Sequence, residues 1–206
     1  MTLVEVLVVI VLLAVLSAMF LPIEPYAGRK AIRINCVNSL HQIGLAYRSW
    51  ADDHNDKFPM EVSVTNGGTM ELVANGENAW LNFLVMSNEL STPKILHCYA
   101  DEDHVRATNF SGELKDKISY FVGLDASTNY PQAFLSGDDN FEINGVPVKS
   151  GLLQLSTNHA TAWTAARHKF AGNIGLADGS AQELNNSGLT NLLHQTGLAT
   201  NRLAIP

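Results

Sequence analysis

Side chains that could do chemistry are sparse and scattered along this 206-residue chain. Seven histidines (His41, His54, His97, His104, His159, His168 and His194) include no His-Glu-x-x-His and no pair at metalloprotease spacing. His168 and Asp178 are two members of a hydrolytic triad, yet no Gly-x-Ser-x-Gly elbow offers them a serine. Walker A and Gly-x-Gly-x-x-Gly loops are absent as well. The expectation is a protein without catalytic residues, whose histidines are structural or solvated. Asp101-Glu102-Asp103 and Asp138-Asp139-Asn140 carry the oxygen donors that Ca²⁺ prefers, although the ordinary reading of both runs is a solvated turn. Two cysteines, Cys36 and Cys98, are too few for a disulfide-rich miniprotein or a four-cysteine zinc site.

The elements that must carry these residues are unevenly apolar. Charged residues make up 16% of the chain, below the ~25% of an average soluble protein, against 46% hydrophobic. The net charge of −7 disfavours broad binding to nucleic acid, and Arg29, Lys30 and Arg33 form the only tight basic cluster. From Leu3 to Leu21 the sequence LVEVLVVIVLLAVLSAMFL is apolar except for Glu5 and Ser17. As a helix it is about 28 Å long, close to a ~30 Å hydrocarbon core, which predicts a membrane-spanning segment within residues 1–28 rather than a cleaved secretory signal. Arg29, Lys30 and Arg33 beyond it would favour a cytoplasmic placement of that end by the positive-inside rule. An ionised Glu5 inside such a segment costs about 2.5–3.5 kcal/mol and calls for a partner. The nearest cation is the α-amino group of Met1, on this chain or on a neighbouring copy; the plain alternative places the carboxylate in the headgroup region.

Pro22 should kink or open the helix. Beyond Gly28 a helical stripe resumes with Ile32, Cys36, Leu40, Ile43, Tyr47 and Trp50, so one long helix is expected, its second half over 29–54 packing a head domain of residues 29–206. The head reads as α+β. Glu77–Met86 is helical in pattern, Ile118–Leu124 is strand-like, and Asn144-Gly145 and Asp178-Gly179 mark hairpins. A last helix from Ser187 places Leu189, Leu192 and Leu193 inward and stops at Gly197. The expected fold class is α+β, a long hydrophobic and amphipathic N-terminal helix against a small antiparallel sheet.

Met1-Thr2-Leu3-Val4-Glu5-Val6-Leu7, the apolar run and Pro22 resemble the mature amino terminus of type IV pilins and type II secretion pseudopilins. His168, nine residues, then Asp178-Gly179 is similar to the His-x9-Asp-Gly pattern of bacterial prepilin-like proteins; residues 38–46, 89–98 and 119–125 resemble secretion-protein-G-like members. The family usually begins with Phe where this chain has Met1. The resemblance implies a leader removed by a prepilin peptidase, N-methylation at Met1, and subunit assembly through Met1, Glu5 and Pro22. It implies residence in the inner membrane before assembly, then a homopolymer built by inner-membrane machinery with an ATPase. The expected product is a pilus-like helical filament at the cell surface, with a periplasmic pseudopilus as alternative and a non-polymerising membrane-anchored binding protein as second alternative. No cofactor is expected unless, as in major pseudopilins, Ca²⁺ binds the head, with Asp138, Asp139 and Asn140 as candidates. His168 is expected to hydrogen-bond near the base of a hairpin whose turn is Asp178-Gly179. If the head is exported, Cys36 and Cys98 can close a loop of about 62 residues, worth about 4 kcal/mol in chain entropy; two buried free thiols are the alternative.

Overall fold

A computed structural model describes residues 2–19 and 25–206 of the chain. Two compact units emerge, Met1–Ala31 and Ile32–Pro206. The first contains α1 (Leu3–Met19), a 17-residue helix. Thr2 and Glu5 cap it reciprocally: the Glu5 carboxylate accepts from the Thr2 N–H at 2.6 Å, and the Glu5 N–H donates to Thr2 Oγ1 at 3.4 Å. The large apolar side chains from Leu3 to Leu16 are 42–82% exposed.

The expected long N-terminal helix is thereby corrected. At 17 residues, α1 rises only about 26 Å, and α2 (Pro25–Asp52) is a separate element that opens on a proline, a residue suited to a first helical turn because its missing N–H is not needed there. Although α2 is longer, its Arg, Lys, Asn and Gln side chains make it polar overall. Among the described residues no helix is long and apolar enough to cross a membrane, which corrects the membrane-spanning segment expected within 1–28. Met1 and Pro22, expected at the assembly surface, lie outside the described residues.

In the Ile32–Pro206 unit, the short elements after α2 include α3 (Met70–Val73), α4 (Trp80–Val85), α5 (Ser87–Leu90) and the 3-10 turn Pro93–Leu96. The strands are β1 (Tyr120–Gly123), β2 (Phe134–Asp138), β3 (Phe141–Ile143), β4 (Val146–Pro147), β5 (Gly151–Ser156), β6 (Thr161–Trp163), β7 (Gly172–Leu176), β8 (Ala181–Leu184) and β9 (Thr200–Ile205), with α6 (Asn186–Gln195) before the last. They make an antiparallel six-stranded sheet, ordered β5-β9-β1-β2-β7-β8, and a three-stranded sheet, β4-β3-β6.

Strand periodicity divides the core. Tyr120 and Val122 of β1 join the α2 stripe of Cys36, Leu40, Ile43, Tyr47 and Trp50 in one cluster. Phe121, between them, points to the other cluster with Phe141, Trp163, Leu189, Leu192 and Leu193. The large sheet is therefore covered on both faces, which is why β1, β2 and β7 are buried at every position.

The β7–β8 hairpin fixes the orientation of α2. Gly179 (φ +87°) turns the chain in the left-handed region; its N–H donates to the Leu176 carbonyl at 2.9 Å, and the Leu176 N–H donates to the Ser180 carbonyl at 2.8 Å. His41 Nδ1 donates to the Gly179 carbonyl at 2.8 Å, and a Cβ added at Gly44 would sit 2.9 Å from Gly179 Cα. Helix and turn thus meet backbone to backbone. Alanine at a free helix position would gain up to about 1 kcal/mol in propensity. Gly44→Ala is instead expected to destabilise the protein by about 1–3 kcal/mol, read from the urea midpoint, because the added methyl group must push the turn away.

Candidate functional site

Four separate segments converge below the β7–β8 turn. Cys36 comes from α2, Cys98 from the chain just after Pro93–Leu96, Asp138 from the end of β2, and His168 from the β6–β7 loop. All four are buried. The two sulfurs lie 2.7 Å apart, His168 Nε2 is 3.2 Å from Cys98 Sγ, and the same nitrogen is 3.4 Å from Asp138 Oδ2. Cys36, Cys98 and His168 are mutually close enough to hold a metal ion.

A rigid frame holds the imidazole. Arg167, Lys169 and Phe170 all have positive φ (56°, 53° and 62°), an uncommon density of left-handed non-glycine residues. Arg33 Nη2 donates to the His168 carbonyl at 2.5 Å, while its Nη1 pairs with Glu183 at 2.7 Å. Arg167 is itself buried between two carboxylates, Asp101 at 2.9 Å and Asp139 at 2.5 Å, and donates to the Ser119 carbonyl at 2.9 Å. On the far side, Ser119 Oγ accepts from the Cys98 N–H at 3.0 Å. The ion network and the sulfur pair therefore share Ser119.

Burial and partners set the protonation states. Cys36 is held down to about 4, first by the hydrogen bond from Cys98 and, against burial, by His168. That same hydrogen bond, together with burial, pushes Cys98 up. Burial opposes a charged His168, but the Cys36 hydrogen bond and the Asp138 charge outweigh it and raise its pKa. Asp138 is pushed up to about 6 by burial, against the pull of His168 and Arg167. For Asp101 burial also favours the neutral acid, but the Ser119 hydrogen bond and Arg167 prevail and lower its pKa. The Tyr120 hydroxyl is raised by burial and by the Cys36 and Asp138 charges.

The residues singled out from the sequence fall in different places. Asp178 and Gly179 form the hairpin turn, with Asp178 Oδ1 accepting from the Ser180 N–H at 2.8 Å. His168, nine intervening residues away, reaches the sulfur pair rather than the turn. In the Ca²⁺ candidate run, Asp138 Oδ2 accepts both Asn173 donors (2.7 and 2.8 Å), Asp139 pairs with Arg167, and Asn140 donates to the Ala166 and Ala171 carbonyls. These three side chains hold the β6–β7 loop. Asp138 Oδ1, Asn140 Oδ1 and Asn173 Oδ1 have no hydrogen-bond partner among the described residues. Glu5 caps α1. Sequence reasoning missed Arg33, Ser119 and Arg167 as supports, and the only local signal was that Arg167 directly precedes the motif histidine.

Compared with known protein families, curated proteins and solved structures, the chain matches none.

Asp138 makes the site's pH dependence testable. Between about pH 4 and about pH 6 the folded chain keeps a proton on Asp138 that the unfolded chain has released. Stability from this group therefore falls as pH rises through that window, by up to about 3 kcal/mol for two pKa units. Urea denaturation across that range should show a flatter profile for Asp138→Asn than for the wild-type chain.

Proposed function

We propose that this protein is the structural subunit of a helical filament in which many copies pack through α1, in the manner of type IV pilin-like proteins. The observation that carries the reading is the exposed apolar surface of α1. Its large side chains from Leu3 to Leu16 are 42–82% exposed, and the only acid among its 17 residues is Glu5 in the first turn. Apolar area left in water costs about 25 cal/mol per Å², so a helix greasy on every side requires cover on every side. A single partner helix covers one stripe. A bundle of copies related by a repeating head-to-tail contact covers the whole circumference, and such contacts extend into filaments when they do not close.

The Ile32–Pro206 unit supplies what a filament subunit needs besides its core helix: a folded body with its own two hydrophobic clusters. Glu5 has a second use in this reading. Its carboxylate already favours the positive end of α1, and an α-amino group from a neighbouring copy competes with the Thr2 N–H for it. Such a pairing inside an apolar bundle sets axial register, since a slipped neighbour leaves an uncompensated charge. Leader removal by a prepilin peptidase, methylation of Met1, an ATPase-driven assembly machine and display outside the cell belong to the same proposal and rest on the pilin-like resemblance. A surface pilus and a shorter pseudopilus use this subunit chemistry alike.

Transfer of the full-length chain from detergent into buffer tests the reading by electron microscopy and sedimentation. The expected result is fibres of uniform diameter. Val8→Asp should abolish them, and Glu5→Lys should reduce their yield at least roughly tenfold, since either change puts a charge where apolar packing or pairing is required. Circular dichroism should report an intact Ile32–Pro206 fold in both variants. A wild-type chain that remains monomeric, or gives only amorphous aggregate, overturns the proposal.

A further inference from the structure

We propose that Cys36 and Cys98 are joined in the native protein by an intrachain disulfide that fastens α2 to the segment following Pro93–Leu96. The two sulfurs are in contact, are 1% and 0% exposed, and come from positions 62 residues apart. Nothing about the pair depends on α1 or on polymerisation.

The surroundings argue for the oxidised state. As thiols, the pair is two polar S–H groups pressed together in a pocket without solvent, beside His168 and Asp138. Joining the sulfurs removes both S–H groups and leaves His168 and Asp138, 3.4 Å apart, to pair with each other. The same His168 Nε2 then packs on a neutral sulfur bridge. A bridge across 62 residues also restricts the unfolded chain, the usual source of disulfide stabilisation.

The chemistry balances with an external disulfide, RSSR, as oxidant. The Cys36 thiolate attacks one sulfur of RSSR; the RS–SR bond breaks, a Cys36–SR bond forms and RS⁻ leaves. Cys98 then loses its proton and attacks Cys36 Sγ, expelling the second RS⁻. Two protein thiols and RSSR become one protein disulfide and two RSH. With both sulfurs buried in the closed fold, the exchange belongs to the stage before the Cys98 segment closes over α2.

The test uses the full-length chain, produced in an oxidising compartment and purified in detergent without reductant. The protein is denatured in the presence of iodoacetamide, with and without prior reduction, and its intact mass and peptide map are recorded. The expected unreduced product is unalkylated, two hydrogens lighter than the dithiol, and yields one peptide pair linked through Cys36 and Cys98. After reduction both cysteines should alkylate. In Cys36→Ser, Cys98 should alkylate without reduction. Alkylation of both cysteines in the unreduced wild type overturns the proposal; with one equivalent of bound zinc, it assigns the site to a metal held by the sulfurs and His168. A bridge between two chains overturns it too. Fibre formation is scored separately, so either proposal can fail alone.

Discussion

Everything in the Ile32–Pro206 unit depends on one face of α2 lying flat on the six-stranded sheet. Leu40, Ile43 and Tyr47 are 0–1% exposed, and they meet β1 through Tyr120 and Val122. Burying a residue of this size is worth about 1.5–3 kcal/mol, so the stripe contributes several kcal/mol to that face. Apolar packing alone, however, tolerates sliding. Register along the helix comes from the glycine contact at Gly44 and Gly179, where no side chain intervenes, and from Arg33, which grips both the His168 carbonyl and Glu183. Those two points, eleven residues apart on α2, leave the helix one seating.

The polar cluster beneath α2 follows from that seating. Once Cys36 is pressed against the sheet, whatever faces it must be buried too, and the chain brings Cys98, Asp138 and His168 there. Hydrogen bonding offsets part of the cost. Asp138 takes two donors from Asn173, and Arg167 pairs with both Asp101 and Asp139. Removing one partner from such a network leaves a charge without water or counter-charge, which is why these contacts act as a unit. The left-handed backbone of Arg167, Lys169 and Phe170 is tolerated because the surrounding contacts over-determine the loop.

Patterns with a local physical cause were legible in the sequence. Asn144-Gly145 makes a tight turn between β3 and β4 with both residues at positive φ, because few other pairs accept that geometry. Asp178-Gly179 turns between β7 and β8, and Leu189, Leu192 and Leu193 face inward from α6. The α2 stripe, including buried Cys36, could be read from its spacing. What failed depended on length or on distant partners. Apolar composition from Leu3 onwards said nothing of where the helix would end, so a spanning segment was expected where α1 has 17 residues. Thr2-x-x-Glu5 had the form of a capping box, but an acid in an apolar run drew attention to remote partners first. β5, β6 and β9 carry no turn signature of their own, and β9 lies between β5 and β1 through pairings made across the chain. The convergence of Cys36, Cys98 and His168 likewise belongs to tertiary structure.

The His-x9-Asp-Gly spacing acquires a structural meaning from these contacts. Its two ends do different work on the same helix. Asp178 and Gly179 turn β7 into β8 and bring the turn's backbone against Gly44, while His168, before β7, reaches back to the sulfur beside Cys36. The intervening residues are mostly a fully buried strand, whose fixed rise sets the distance between the two contacts. Lengthening that interval would reverse the side-chain alternation of β7 or move one contact off the helix. The spacing is therefore a ruler for seating α2, and a motif with that duty needs no catalytic role to explain it.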